Sequence, residues 1–433
     1  MLLVACGVAP LREGIRERGV SGTISWQRNL YALTAASFLM FTAFGFVFPF
    51  LPLFIGTLGV GDVGQVEVWA GVSSFGQALI LSLCSPIWGA YADRHGRRLM
   101  VLRAAFGGGV VIGLMGLTTN IWEFLGLRLL QGAFTGVVAA VTALATSFVP
   151  RERIGYALGI LQMTTFAGNA VGPLLGGLVA DRFGFRAGFG VTAILFLSAG
   201  VLTLAFVKEN FVPPQDARAS AGLRGMLRDI RARGADRQLL AMMLVLFSAQ
   251  FGVNVVQPML PLFVQYLDPT QTAATATGAI FTVAGVVASI SAVVWGRVGD
   301  KFGYRRLLIG MALGAALVYI PQALVTSVLQ LIILRGVLGI FDGGLLPSAN
   351  AFIASSTSRK GDSSSHGTTY GLVNLANGMG FALGPLSGGL IAASLGLRSV
   401  FFVTAAILLV IAAYLPFGIR EPGRNQGSSG APN

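Results

Sequence analysis

The sequence predicts an all-α membrane protein with twelve transmembrane helices in two pseudo-symmetric six-helix bundles. Three observations carry that prediction. Hydrophobic residues make up 54% of the 433-residue chain and charged residues 11%, with a mean hydropathy of +0.75. Soluble domains do not have this composition. The charge is gathered into short clusters between apolar runs long enough to cross a hydrocarbon core of roughly 30 Å. Finally, Gly89-Ala90-Tyr91-Ala92-Asp93-Arg94-His95-Gly96-Arg97-Arg98 returns as Gly296-Arg297-Val298-Gly299-Asp300-Lys301-Phe302-Gly303-Tyr304-Arg305-Arg306, with glycine and aspartate each displaced by 207 residues. A constant offset of half the chain marks an internal duplication.

The predicted spans lie near 29–55, 66–91, 99–118, 121–148, 154–180 and 187–207 in the first half. Those of the second half lie near 239–266, 274–299, 306–325, 328–355, 367–394 and 398–419. The first span carries Pro49 and Pro52 and the seventh Pro258 and Pro261, so both should bend where prolines free backbone carbonyls. Spans two and eight lead into the two acidic-basic turns. Spans four and ten hold Arg128 and Arg335, again 207 apart. Spans five and eleven share a Gly-x-x-x-Gly-Pro-x-x-Gly-Gly run, as Gly168, Gly172, Pro173, Gly176 and Gly177, and as Gly380, Gly384, Pro385, Gly388 and Gly389. The division expected is a cytoplasmic tail over 1–25, a bundle over 26–207, a basic linker over 208–237, a second bundle over 238–420 and a disordered tail over 421–433. In the linker Leu223, Met226, Leu227 and Ile230 fall at helical spacing, as in a short amphipathic helix on the inner leaflet.

Placing the N-terminus in the cytoplasm puts 25 of the 30 Lys and Arg residues on the inner side, which sets both termini there. The net charge of +13 is then a topology signal and a match to anionic lipids, with no nucleic acid implied. Cys6 and Cys84 are the only cysteines and give neither a disulfide framework nor a metal site. No phosphate-binding Gly-x-x-x-x-Gly-Lys-[Ser/Thr] loop is present, which disfavours ATP-driven pumping. No cofactor is expected.

The ionisable residues deepest in the spans are Arg128, Arg335 and Asp342. Each should face the bundle interior and be partnered, since a charge in hydrocarbon costs at least about 2.5–3.5 kcal/mol. Asp342 is the lead candidate for a proton carrier, a carboxylate that would meet one side of the membrane and then the other. Gly89, one turn before Asp93, can bring span two close to a neighbour, while Asp93 suits the N-terminus of a helix there, where a carboxylate gains hydrogen bonds and the dipole. Gly168, Gly172 and Gly176 line one helix face, as do Gly380, Gly384 and Gly388. These faces are expected to join span five to eight and span eleven to two along the seam.

The turn at Gly89, Asp93, Arg94, Gly96, Arg97 and Arg98 resembles the signature between spans two and three of the major facilitator superfamily. The glycine-proline run of span five and Arg128-x-x-Gln131-Gly132 resemble motifs of its drug/proton antiporter branch. Trp26-Gln27-Arg28-Asn29-Leu30, Pro49 with Pro52, Asn120-Ile121-Trp122 and Asp342-Gly343 are similar to bacterial MdtG-type multidrug efflux transporters. The resemblance implies that Asp93 meets the start of span eleven near Thr368 and Thr369 and holds the cytoplasmic side closed. Arg94, Arg97 and Arg98 would complete the charge cluster and face the membrane surface, and by pseudo-symmetry Asp300 should serve the start of span five near Ile154 and Gly155. It also implies that Arg128 tunes the proton carrier or orients span four, and that spans one, four, seven and ten line the substrate cavity. Candidate lining residues are Phe44, Phe48, Gln131, Phe166, Asn254, Gln257, Phe281, Phe341, Asn350, Asn374 and Asn377. Relatives in that branch carry an acidic residue in span one and this chain has none, so coupling stoichiometry and a preference for cations stay open.

The expectation is therefore a monomeric inner-membrane exporter of hydrophobic or amphiphilic drugs, driven by protons through alternating access. A facilitator or symporter of sugars or other metabolites is the alternative. A receptor or enzyme would need a reactive constellation, and the only histidines are His95 and His366, both in inner loops.

Overall fold

The computed structural model describes residues 26–209, 211, 237–269, 272–358 and 363–418. The linker helix expected over Leu223–Ile230 lies outside the described residues, as do the two tails. Twelve helices are long and apolar enough to cross a membrane, and no strand occurs among the described residues.

Span one is α1 (Trp26–Val47) followed by α2 (Leu51–Gly56), and span two is α3 (Val63–His95). Span three is α4 (Arg97–Met115), and span four is α5 (Ile121–Phe134) with α6 (Val137–Phe148). Spans five and six are α7 (Ile154–Phe183) and α8 (Phe185–Phe206). The second bundle runs α9 (Arg237–Val256) and α10 (Leu260–Leu267) for span seven, then α11 (Ala273–Phe302) and α12 (Tyr304–Leu324). It closes with α13 (Val328–Ser358), α14 (Ser363–Leu395) and α15 (Leu397–Gly418).

The paired prolines break spans one and seven outright. Pro49 and Pro258 sit in the interruptions, where Phe50 N–H donates to Val47 at 3.3 Å and Met259 N–H to Val256 at 3.0 Å. Span four breaks as well, which the sequence reading did not anticipate. Thr135 turns its hydroxyl back to the carbonyls of Gln131 (3.0 Å) and Gly132 (3.1 Å), and Gly136 takes φ +112°. That left-handed backbone is open to glycine at no steric cost and ends the helix.

The two bundles are built alike. Trp88 donates to Ala133 and Trp295 to Ile340, both at 2.8 Å and each residue 207 positions from its twin. The glycine faces correct one expectation. Gly168, Gly172 and Gly176 abut Phe41, Thr42, Gly45 and Phe46 of α1, inside their own bundle. Gly380, Gly384 and Gly388 likewise abut Phe247, Gln250, Phe251, Asn254 and Val255 of α9. Small residues let backbones approach, but here they cement each bundle rather than the seam.

The seam is made by α7 with α11 and by α3 with α14. Its contacts cluster at the face that carries the Gly184 and Gly396 turns. There Gly177 meets Ala274 and Thr275, Gly278 meets Pro173, Gly71 meets Pro385 and Gly389 meets Glu67, all at backbone range. Towards the face that carries Gly96 and Gly303 the helices part. Gly89, Gly159 and Gly296 each lie eighteen residues, about five turns at roughly 3.6 residues each, from Gly71, Gly177 and Gly278, hence on the same faces. A Cβ on any of these three would meet nothing within 4 Å. The molecule is a wedge, shut at one face and open at the other.

Candidate functional site

Four turns of one design anchor the seam helices. Gly96, Gly184, Gly303 and Gly396 have φ of +97°, +84°, +92° and +86°, and each stops the helix before it. Around them the spacing Gly-x-x-x-Asp-basic-x-Gly-x-Arg runs as Gly89 to Arg98, Gly177 to Arg186 and Gly296 to Arg305. The fourth copy, Gly389 to Arg398, has Ala393 where the others have aspartate. The closing arginines all do the same thing. Arg98 donates to the carbonyl of Leu204 and Arg305 to that of Pro416. Arg186 donates to Thr118 at 3.5 Å and Arg398 to Val325 at 3.3 Å. Each cation thus serves carbonyls left free at the end of a neighbouring span.

These contacts correct the expectation that Arg97 and Arg98 face the membrane surface. Arg97 donates to Ala143 at 3.1 Å, and both are pulled into the bundle. Arg94 alone of the three stays exposed. Glu209 supplies the anion the sequence reading missed. It accepts from the backbone N–H of Arg97 (2.9 Å) and Arg98 (2.7 Å), capping the start of α4. Gly89 was expected to bring α3 close to a neighbour, but α3 is on the open side there. The side chains of Asp93 and Asp300, and those near Thr368 and Thr369, lie outside the described residues.

The described member of the aspartate set is Asp181. Its Oδ2 accepts from the N–H of Thr275, in the first turn of α11, at 2.7 Å. The bond crosses from one bundle to the other, one turn beyond the Gly177–Ala274 contact. One further cross-bundle bond lies deeper, where Thr282 Oγ1 donates to Ala170 at 2.6 Å. Asp181 could have been found from sequence, because Gly177-Leu178-Val179-Ala180-Asp181-Arg182-Phe183-Gly184-Phe185-Arg186 shares six of its ten residues with the Asp93 turn, the glycines, the aspartate and the closing arginine among them. The search for an offset of half a chain passed over it, since it recurs after 88 residues. Asp181 also lines a cavity of about 390 Å³ at the closed face, with Asp62, Thr57, Gln265 and Phe185 among its walls.

Between the bundles, near mid-depth, the structure gathers some of the expected lining residues. Phe44 and Phe48 stand edge to face at 5.1 Å, and Phe48 reaches Phe281 of the other bundle at 6.4 Å. Behind them Arg128 Nη1 donates to Gln131 Oε1 at 2.7 Å. Phe44, Phe48, Gln77, Arg128 and Gln131 enclose a space of about 20 Å³, room for one water. The rest are dispersed. Phe166 is exposed on the parted face of α7 and Phe341 packs on Gly314. Asn254 donates to Gln250 at 2.7 Å against Gly384, and Gln257 sits in the span-seven break. Asn377 Oδ1 is buried without a partner, and the side chains of Asn350 and Asn374 lie outside the described residues.

Arg335 and Asp342 share α13 two turns apart. Arg335 is buried, with the rings of Tyr319 and Phe401 each 5.8 Å from its Cζ, while Asp342 is partly buried and within reach of the Arg335 charge. Among the described residues no group of three or more His, Cys, Asp or Glu could hold a metal.

The family model described as Major Facilitator Superfamily matches residues 33–288 and 242–432. The chain belongs to the major facilitator superfamily. It is a membrane transporter and not an enzyme, as the names of its relatives in this superfamily indicate. The multidrug resistance protein MdtG of Serratia proteamaculans (strain 568) is 36% identical over 392 residues, 90% of this chain and 93% of that one. MdtG of Escherichia coli (strain 55989 / EAEC) is also 36% identical over 392 residues, 90% of this chain and 94% of that protein. Among solved structures of the superfamily fold, a bacterial homolog of the human lysosomal transporter Spinster, inward-facing and unoccupied, gives a TM-score of 0.70 at 17% identity. That match covers 92% of this chain and 98% of the other. The nucleoside transporter NupG gives 0.68 at 14% identity, covering 90% and 98%.

Proposed function

We propose that this chain exports hydrophobic or amphiphilic drugs across the inner membrane by alternating access, in exchange for protons. The observation that carries the reading is the wedge. The same faces of α3, α7 and α11 that touch at Gly71, Gly177 and Gly278 stand apart at Gly89, Gly159 and Gly296. Two rigid bundles that close at one end and part at the other need only rock to expose a central site alternately. The distribution of Lys and Arg makes the Gly96 face cytoplasmic, so the described state opens inward with both termini inside. The names of the relatives at 36% identity support drugs as the cargo.

The latches follow from one turn used at both faces. Asp181 bonds the first turn of α11 and holds the outer face shut. Asp93 and Asp300, in turns of the same spacing, take the equivalent role at the inner face when it closes, on α14 and α7. The proton site is Asp342, with Arg335 beside it, and Arg128 with Gln131 shapes the cavity wall. The Phe44–Phe48–Phe281 group offers the drug an apolar, π-rich surface with few charges, which suits varied ligands.

The test is dye efflux from energised inverted vesicles, with and without a protonophore. Dye accumulation that collapses when the proton gradient is removed is expected. Transport that survives contradicts proton exchange, and accumulation by intact cells in place of extrusion would point to metabolite uptake.

A further inference from the structure

The two bundles differ at one buried place. In the first, Arg128 shares its pocket with Ile112, Met115 and Phe189. The matching positions in the second bundle, 207 or 212 residues on, are Arg335, Tyr319, Gln322 and Phe401. A phenol and an amide have replaced two apolar side chains, at 1% and 0% exposure. Tyr319 and Gln322 lie one turn apart on α12, both turned into the bundle, and the Tyr319 ring is 5.8 Å from the Arg335 guanidinium carbon. The Tyr319 hydroxyl and the Arg335 guanidinium lie close enough to act on each other, yet the contact is poorly aligned, and Tyr319 Oη, Gln322 Oε1 and Nε2, and Arg335 Nε and Nη2 are all buried without a well-formed hydrogen bond. Buried polar groups in a membrane-spanning bundle have no lipid partner to turn to, and native structures fill such places with ordered water.

We propose that Arg335, Tyr319 and Gln322 hold a buried water site, and that this site is a neutral cage in which Arg335 stays charged when Asp342 is protonated. The second half rests on Asp342 being the proton carrier. Its physical basis is the set of groups around the guanidinium. Ionised Asp342 is its counter-charge two turns along α13. Once Asp342 is neutral, the guanidinium needs acceptors that carry no charge of their own. The Gln322 carbonyl, the Tyr319 oxygen, a water oxygen and the faces of Tyr319 and Phe401 supply them. In the first bundle Thr135 stands where the second has Asp342, and there Gln131 Oε1 at 2.7 Å from Arg128 is enough.

The direct test is an experimental structure at a resolution that shows waters. Density for water within hydrogen-bond distance of Arg335 and of Tyr319 or Gln322 is expected, and a dry pocket overturns the site. The role is tested by infrared difference spectroscopy of the full-length protein in lipid, following the carbonyl band of a protonated carboxyl that vanishes in Asp342→Asn. Arg335 and Tyr319 are the titratable groups that act on Asp342 among the described residues. In the double variant Tyr319→Phe with Gln322→Met, the band is expected to fall about fivefold or more at the same pH, the worth of one lost hydrogen bond. Tyr319→Phe alone keeps the ring and guards against misfolding, and should give a partial loss. An unchanged band in both variants overturns the cage. A wild-type spectrum in which Asp342→Asn removes no band refutes Asp342 as carrier instead, and the water density then decides the site by itself.

Discussion

Replacing Asp181 by alanine removes the carboxylate that joins α7 to the first turn of α11 and leaves both helices otherwise intact. The contact is a charged acceptor on a backbone N–H at 2.7 Å, in a wall that opens onto the outer cavity. Hydrogen bonds to charged groups contribute about 1.5–3 kcal/mol, and the helix dipole about 0.3–1 kcal/mol more. Solvent in the cavity screens part of this, so about 1–2 kcal/mol is a fair value for the closed outer face. That converts to a shift of roughly 5- to 30-fold in the ratio of outward-open to inward-open molecules. The assay is the distance distribution between spin labels at Thr57 and Gln265, exposed positions on either side of the outer mouth. The long-distance population should grow by that factor in Asp181→Ala, and far less in Asp181→Asn, which keeps an acceptor. A distribution identical to wild type would refute the latch.

Other outcomes follow from the same contacts. Gly177→Val sets a branched side chain against the Ala274 carbonyl, so the outer mouth should stay open and drug efflux should fall by at least about tenfold with normal insertion, seen in vesicle transport. Gly89→Leu fits the open inner face described here but not a closed one, so labelling of the inner mouth should rise while turnover drops. Glu209→Ala strips the cap from Arg97 and Arg98, and thermal unfolding should show a loss of about 1 kcal/mol without a change in drug binding. Asp342→Asn should abolish efflux driven by a pH gradient while downhill drug exchange persists, read in proteoliposomes.

Most of the fold was legible because its signals are long-range and redundant. Twelve apolar runs, the Lys and Arg bias and an offset near 207 residues all point to the same two bundles. What escaped the reading depends on which face of a helix a residue presents. Gly168, Gly172 and Gly176 were read as seam residues, but spacing shows only that they share a face, and α1 takes it. Gly177, the next residue, is about 100° round the helix and is the one that reaches α11. The broken fourth span hid because Gly136 is one glycine among 59 and its partner Gly343 sits in an unbroken helix. Asp181 hid in plain sight, as a repeat at an offset of 88 residues, in the last turn of α7 where a carboxylate carries little topological weight. Tyr319 escaped notice in the sequence, and only the structure sets its ring 5.8 Å from the Arg335 guanidinium carbon.

The rocking itself is tested most directly by two label pairs on one protein, Thr57 with Gln265 at the outer mouth and Tyr156 with Val293, exposed positions near the inner ends of α7 and α11. Addition of a transported dye under a pH gradient should shorten one distance as it lengthens the other. Two mouths that open and close together, or an inner pair that never moves, would contradict the account.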